Sequence, residues 1–183
     1  IILFSPQLKG QALIPAGIDT SRYERIFRQS DKLHRFQRDG HYGFMNVAGK
    51  EVITPNYDLA GDFTHGVAKV MLQGKIGLID TSGTIVLPLI CDEIWNFEDG
   101  LAMVMLNGKF GFVNPEGILI IPPVYDAAQP SSDSIVVVRK GLLNGYLDTK
   151  GASITPIKFE IAEPFHDGEA RVRIEGKWMY INK

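Results

Sequence analysis

Cysteine is almost absent from this sequence, and the single Cys91 excludes any disulfide within the chain. Long apolar runs are absent too. None approaches the roughly 20 residues of a membrane-spanning helix, and we predict no transmembrane segment. The 19 basic and 21 acidic side chains give a formal net charge of only −2, whereas proteins that bind nucleic acid carry strongly basic surfaces. We therefore predict no nucleic-acid partner, and both a cytoplasmic and an exported location stay open.

Recognisable catalytic and metal-binding motifs are also missing. The sequence contains no Gly-x-Ser-x-Gly elbow, no phosphate-binding loop and no dinucleotide fingerprint. Its four histidines have no metal-ligand spacing and no companion cysteines. We therefore predict that the protein is not an enzyme and that it has no catalytic residues, no metal site and no cofactor.

What the sequence does contain is a pattern that recurs every 34 residues. Two columns of glycine keep this step without drift: Gly43, Gly77, Gly111 and Gly145, and then Gly49, Gly83, Gly117 and Gly151. A fixed period of this length indicates a repeat architecture, in which each unit buries its apolar face against a neighbouring unit.

Each unit has the pattern of a β-meander. In the third unit, residues 101–106 alternate as a strand does, and Asn107-Gly108 is the dipeptide most favoured in a two-residue hairpin. Residues 109–114 form the next strand, which is apolar on both faces and must therefore be covered on both faces. A turn over 114–117 leads to a further strand that stops at prolines. We predict an all-β fold of about five antiparallel meander repeats, and only residues 21–32 leave room for a helix.

The residues 74–80 (Gly-Lys-Ile-Gly-Leu-Ile-Asp) and 108–114 (Gly-Lys-Phe-Gly-Phe-Val-Asn) carry a family resemblance. With the turn glycines that follow them, they resemble the bacterial WG-type (KWG) repeat. The resemblance implies all-β repeats with presumed roles in binding and no established chemistry. The chain departs from the family pattern because only Trp178 keeps the tryptophan of the motif, and Met179 replaces the glycine after it.

The repeat predicts a single domain over residues 1–183. It divides into a degenerate first unit and four repeats, followed by half a unit: 1–40, 41–74, 75–108, 109–142, 143–176 and 177–183. Residues 11–15 resemble a second-half strand, so each end of the chain carries half a unit. We favour a closed, propeller-like ring of five blades over an open β-solenoid with atypical caps.

Several recurring residues are predicted to be structural. The acids that follow the aromatic column should accept hydrogen bonds from turn amides, as should the Asn and Asp residues of the turns. The acids are Asp58, Asp92, Asp126 and Glu160, and the turn residues are Asn46, Asp80, Asn114, Asp148 and Asn182. Cys91 should be a small buried hydrophobe, and residues 130–134 interrupt the frame and are predicted to form a mobile loop.

Function is expected where the units differ from one another. Opposite the constant Ala/Val face of one strand, the residue types change between units and combine methionine with arginine, a composition typical of interfaces. A closed ring would join these residues to the basic first unit as one basic sector that attracts an acidic protein partner. The predicted partner-binding residues are Arg22, Arg25, Arg28, Arg35, Met103, Met105, Arg139, Arg171 and Arg173.

Other interpretations of this surface stay open. The basic first unit is equally consistent with a solvated cap, because a terminal repeat must be polar to remain soluble. A carbohydrate- or cell-wall-binding propeller would need an exposed aromatic side chain at the same place in several units. A hydrolase would need acids that converge outside the repeat columns. The oligomeric state stays open.

Overall fold

The computed structural model describes residues 18–183, except for the side chains of Gln29 and Ser131. The predicted half-unit strand at 11–15 therefore lies outside the described residues. The described chain is all-β, and its only helical element is a 3-10 turn at Thr20–Arg22. The prediction of an all-β fold of meander repeats is confirmed.

Four sheets have four strands each, in which consecutive strands pair as antiparallel neighbours. The first sheet contains β1 (Arg25–Ser30), β2 (Leu33–Arg38), β3 (His41–Asn46) and β4 (Glu51–Tyr57). The second contains β5 (Leu59–Ala60), β6 (Val67–Leu72), β7 (Lys75–Asp80) and β8 (Ile85–Cys91). The third contains β9 (Glu93–Glu98), β10 (Leu101–Leu106), β11 (Lys109–Val113) and β12 (Leu119–Tyr125). The fourth contains β13 (Ala127–Ser132), β14 (Ile135–Lys140), β15 (Leu143–Asp148) and β16 (Ser153–Phe159).

The fifth sheet has three strands in the described residues, β17 (Ile161–Ala162), β18 (Glu169–Ile174) and β19 (Lys177–Asn182). The chain divides into two compact units, Ile1–Leu89 and Ile90–Lys183, with the boundary inside β8. The single domain over 1–183 and the closure of a ring stay predictions.

The hairpins follow the turn chemistry of the sequence. Asn107 and Gly108, between β10 and β11, have φ values of 51° and 71°, as a type I′ turn requires. This confirms the predicted hairpin.

Two local predictions were wrong. Residues 21–32 form no helix. They contain β1, because Ile26 pairs with Phe36 and is buried against it. Residues 130–134 form no loop: β13 continues through Pro130, and Asp133 and Ser134 form the next hairpin turn at φ 55° and 61°. A register shift between Gln129 and Ser132 accommodates the proline, since proline is tolerated where the ladder is irregular.

Within each compact unit, the core lies between successive sheets. In the first unit, Phe44 of the first sheet packs edge-on against Phe63, which lies between β5 and β6 of the second sheet. In the second unit, Phe112 of β11 is only 1% exposed, and Val113 on the opposite face is fully buried. This confirms that the third strand of a repeat is covered on both faces. Cys91 is buried as predicted.

Candidate partner-binding surface

Three of the recurring acids, Asp58, Asp126 and Glu160, hold the hairpin between the second and third strands of the second, fourth and fifth sheets. Asp126 accepts a hydrogen bond from the amide of Gly141 (2.6 Å), and Asp58 accepts one from Gln73 (2.7 Å). Asp126 also forms an ion pair with Lys109. The hydrogen bond from Lys109, followed by that from Gly141, lowers the pKa of Asp126. These contacts confirm the predicted structural role.

The Asn and Asp residues at the end of the third strands hold the turn that leads to the fourth strand in the same way. The Oδ1 of Asp148 accepts hydrogen bonds from the amides of Lys150 (2.9 Å) and Ala152 (2.8 Å). Asn46, Asp80 and Asn114 make corresponding bonds four residues ahead. These residues are therefore used by the fold, as predicted.

A further set of aspartates, which the sequence analysis did not single out, connects neighbouring sheets. Each lies in the first hairpin turn of its sheet, and its Oδ2 accepts a hydrogen bond from an amide 35 residues further along the chain. The pairs are Asp31 with Gly66 (3.3 Å), Asp99 with Ser134 (3.2 Å) and Asp133 with Gly168 (2.8 Å). Asp31, Asp99 and Asp133 lie at multiples of the 34-residue period, with His65 at the place between the first two, and this spacing was a signal that could have identified them.

Two of the predicted variable positions, Arg35 and Met103, do not lie on an open surface. Met103 is 7% exposed and packs between the third and fourth sheets. The guanidinium of Arg35 lies 4.2 Å from the centre of the Phe27 ring and donates to the carbonyl of Ala60. Asp62 lies 3.6 Å from it. Arg35 and Met103 are therefore used in packing, and Met105 is half-buried.

The arginines at the start of the first sheet are exposed. Arg22 lies 3.9 Å from Glu51, a carboxylate that Arg38 already binds (3.1 Å). The hydrogen bonds from Arg38 lower the pKa of Glu51 by more than its partial burial raises it. Arg25 and Arg28 make no ion pair within residues 18–183, so their charge faces solvent. Both lie on β1.

The last sheet carries a second group of arginines. The Nε of Arg173 lies 3.1 Å from the Oε2 of Glu160, and this ion pair balances the charge of the arginine. The guanidinium of Arg171 instead stacks 4.0 Å from the centre of the Trp178 ring, as in a cation–π contact. Arg171 is directly opposite Tyr180 in the β18–β19 pairing. We call the side of the fifth sheet that bears Arg171, Trp178 and Tyr180 the terminal face.

The terminal face differs from the same face of the inner sheets. Phe112 and Tyr146 occupy the position of Tyr180 in the third and fourth sheets, and each is at most 1% exposed. Tyr146 packs against Phe165, which lies between β17 and β18 of the fifth sheet. Tyr180 is 69% exposed and Trp178 is 43% exposed. The terminal face therefore presents an aromatic surface that the inner sheets bury.

The remaining predicted site residue, Arg139, is exposed at the end of β14. Arg22, Arg25 and Arg28 belong to the first unit, and Arg139, Arg171 and Arg173 belong to the second. Their union into one basic sector stays a prediction.

Within residues 18–183, no three His, Cys, Asp or Glu side chains are grouped so that they could hold a metal ion. The described part of the chain also contains no helix that is both long and apolar enough to cross a membrane.

A family profile described as WG containing repeat matches the chain four times, at residues 42–75, 76–110, 110–141 and 145–178. No curated protein matches the chain. Among solved structures, a eukaryotic initiation factor is similar at 11% identity and a TM-score of 0.44, over 86% of this chain and 51% of its own.

Two bacterial surface proteins are similar at the same level. The extracellular domain of a one component system from B. thetaiotaomicron has 12% identity and a TM-score of 0.37, over 92% of this chain and 30% of its own. PorZ, a surface component of the type-IX secretion system of Porphyromonas gingivalis, has 9% identity and a TM-score of 0.38, over 88% of this chain and 29% of its own. The chain spans about half the length of the first protein and under a third of the other two. These distant similarities carry no argument about function.

Proposed function

Because the chain belongs to the WG containing repeat family, we propose that it is a non-enzymatic module that binds a protein partner, with the terminal face as its main contact. The residues that recur from unit to unit are used in turns, in links between sheets and in the core. The residues that remain for binding are those that differ between units and reach the surface. On the terminal face these are Arg171, Trp178 and Tyr180.

The single observation that carries the proposal is the exposure of Tyr180, in a column whose inner members are buried. Tyr, Trp and Arg are enriched among the residues that dominate binding energy at protein interfaces. Arg171 is held over Trp178 at 4.0 Å, so part of its side-chain entropy is lost before any partner arrives. A pre-ordered cation beside exposed aromatic area favours a partner that offers both a carboxylate and an apolar side chain.

The exposed arginines of the first unit are a second element of the proposal. Arg25 and Arg28 lie on one strand and carry charge that the described residues leave unbalanced. Such charges change the rate of association more than the lifetime of the complex, because they act before contact is made. We expect them to accelerate binding of an acidic partner.

A carbohydrate ligand is the alternative that the exposed aromatics keep open. Trp178 and Tyr180 lie on one face, as they would in a sugar-binding surface, but the same column is buried in the third and fourth sheets. The aromatic surface is therefore present once and is not repeated as a repeating polymer would favour.

The test is affinity capture from an extract of the source organism, followed by titration of the protein that is recovered. The terminal-face variant combines Arg171→Glu with Tyr180→Ala, and the matched control is Lys140→Glu, an exposed charge reversal outside the predicted surface. We expect the variant to weaken the purified complex about thirtyfold, which corresponds to about 2 kcal/mol, while the control binds as the wild type does. Equal affinity of both variants would refute the terminal face as the contact, and recovery of glycans without protein would favour the alternative.

A further inference from the structure

The first sheet holds one of its own arginines against a pair of aromatic rings. The rings of Phe27 and Tyr42 are 6.0 Å apart between their centroids, at an angle of 39°. The guanidinium of Arg35 lies 4.2 Å from the centre of the Phe27 ring and 5.8 Å from the centre of the Tyr42 ring. This aromatic pair therefore binds a cation that the chain itself supplies.

The third sheet repeats the aromatic pair without the cation. Trp95 and Phe110 follow Phe27 and Tyr42 by two periods of the repeat, and their ring centroids are 5.9 Å apart at an angle of 37°. The arginine position is taken by Met103. A methionine side chain ends where the Nε of an arginine lies, so it has no counterpart to the guanidinium carbon and its two terminal nitrogens.

We propose that Trp95 and Phe110 form a binding site for the guanidinium group of an arginine side chain on a partner protein. Trp95 is 36% exposed, and no arginine or lysine of the described chain stacks on either ring. The proposal goes beyond the function proposed above, because it concerns a different sheet and a partner group of the opposite charge. We call the two rings the aromatic clamp.

A carboxylate lies on the same face of the sheet as the aromatic clamp. Glu93 is directly opposite Met105, and Met105 is directly opposite Phe110, so the three side chains share one face. Glu93 is exposed and makes no ion pair within residues 18–183. In the first sheet the charge of the bound arginine is balanced by Asp62, whose position two periods later is Pro130. Glu93 is therefore the acid that balances a guanidinium at the clamp.

Arginine suits the clamp better than lysine does. A guanidinium is flat, so it stacks on a ring while its edge donates hydrogen bonds, whereas an ammonium group is a compact and strongly hydrated charge. Arg35 combines both contacts in the first sheet, because it also donates to the carbonyl of Ala60. Two periods later Ala128 packs against the same core cluster as Phe110, and its carbonyl is the corresponding acceptor.

The test follows the indole N–H signals of the two tryptophans in NMR spectra of the whole chain, assigned with the variant Trp95→Phe. The probe is a peptide with blocked ends, Gly-Ser-Arg-Ser-Gly. Its matched control carries citrulline, which keeps the shape of the arginine side chain and removes its charge, and a second control carries lysine. A further probe is free arginine, whose own carboxylate is repelled by Glu93. In variants that lack Trp95, the backbone amides of β9 and β11 report binding and folding.

We expect the arginine peptide to shift the indole signal of Trp95 to saturation. The signal of Trp178 should not respond, because Arg171 already covers that ring. Citrulline should cause no saturable shift, and both the lysine peptide and free arginine should bind more weakly. Trp95→Leu should weaken binding about threefold or more, whereas Trp95→Phe keeps a ring and should still bind. Glu93→Gln should weaken binding about threefold and make it less sensitive to salt.

Exchanging the residues of the two sheets gives a reciprocal test. Arg35→Met vacates the first aromatic pair, so the arginine peptide should then also shift the amides of β1. Met103→Arg supplies the clamp with an internal guanidinium and should exclude the peptide, whereas Met103→Leu should not. If Met103→Arg does not fold, Arg35→Met still tests the exchange, and a first sheet that stays unresponsive in Arg35→Met would contradict the comparison on which the proposal depends.

Several results would overturn the proposal. A Trp95 signal that does not move, an equal response to citrulline, or undiminished binding to Trp95→Leu would each show that the clamp binds no guanidinium. Equal binding of the lysine peptide would replace the assignment by a site for any cation. Tighter binding of free arginine than of the peptide would assign the site to a small molecule and refute a partner protein.

Discussion

The strands β11 and β19 are the same strand of the repeat, two units apart, and they have very different surroundings. The central residue of β11 is Gly111, and the backbone of β12 lies against it. The central residue of β19 is Met179, which is 42% exposed. The aromatic that follows is buried in β11 as Phe112 and exposed in β19 as Tyr180.

This difference shows that a residue's position in the repeat determines its backbone conformation and strand pairing but does not determine how far its side chain is buried. Both strands pair in the same way with the strand before them. What changes, among the described residues, is the presence of a fourth strand at the edge and of a following sheet on the face. An aromatic residue in this column is therefore buried in an inner unit and exposed in the fifth sheet.

The largest expected effect on this comparison comes from truncating the two aromatics. Phe112→Ala removes a fully buried ring and should lower the free energy of unfolding by about 3–5 kcal/mol. Tyr180→Ala removes an exposed ring and should change it by about 0.5 kcal/mol or less. Urea denaturation of both variants measures the difference. Equal losses would mean that the terminal face is covered in solution.

A smaller effect is expected at the centre of the two strands. Gly111→Ala places a Cβ against the carbonyl of Ile121 and the nitrogen of Pro123, at 2.5 and 2.7 Å. Overpacking of this kind costs about 1–3 kcal/mol of unfolding free energy. Met179→Ala, which shortens a side chain with no such neighbour, is the matched control and should cost less. A neutral Gly111→Ala would show that β12 can move aside.

The smallest effect concerns the alkaline stability that Tyr146 contributes. Burial, with a smaller contribution from Glu163, raises the pKa of Tyr146 to about 12. The hydroxyl donates to the carbonyl of Glu163 at 2.7 Å. Because the folded pKa lies above the unfolded value of 10.0, this contribution is complete below pH 10. It is lost as the pH rises toward 12, since the unfolded chain loses its proton first.

Denaturation between pH 9 and about pH 11.5 measures this loss. Tyr146→Phe should be less stable at pH 9, by about 1 kcal/mol for the hydrogen bond, and should lose less stability over the interval than the wild type. Tyr180→Phe retains Tyr146 and should keep the wild-type decline. An unchanged decline in Tyr146→Phe would mean that other groups govern the alkaline transition.

Much of the fold was predictable because local chemistry repeats. Asn107-Gly108 predicted its hairpin, since few residues other than Asn and Gly adopt positive φ readily. Asp58 and Asp126 recur beside turns whose amides need an acceptor, and their structural role followed. Residues 21–32 were the one stretch that left room for a helix, and they contain β1 instead. Tertiary packing determined the outcome there, because Ile26 is needed in the core.

The surface was less predictable. Arg35 and Met103 vary between units, which suggested a binding surface, and both turned out to be used in packing between sheets. Variation along a column does not report whether a neighbouring sheet covers it. The aspartates that link sheets, such as Asp133, were passed over for a related reason. The partner of Asp133 is the amide of Gly168, 35 residues away, and no local motif connects them.

The sequence by itself determined the period, the strands and turns within each unit, and the residues that serve as acceptors in the turns. Those features depend on interactions between residues close in the chain, which a repeat displays several times. Only the tertiary structure decided which faces are covered and which of the arginines reach solvent. Coverage depends on which strand and sheet lie alongside, and that information is not contained in any one unit of the repeat.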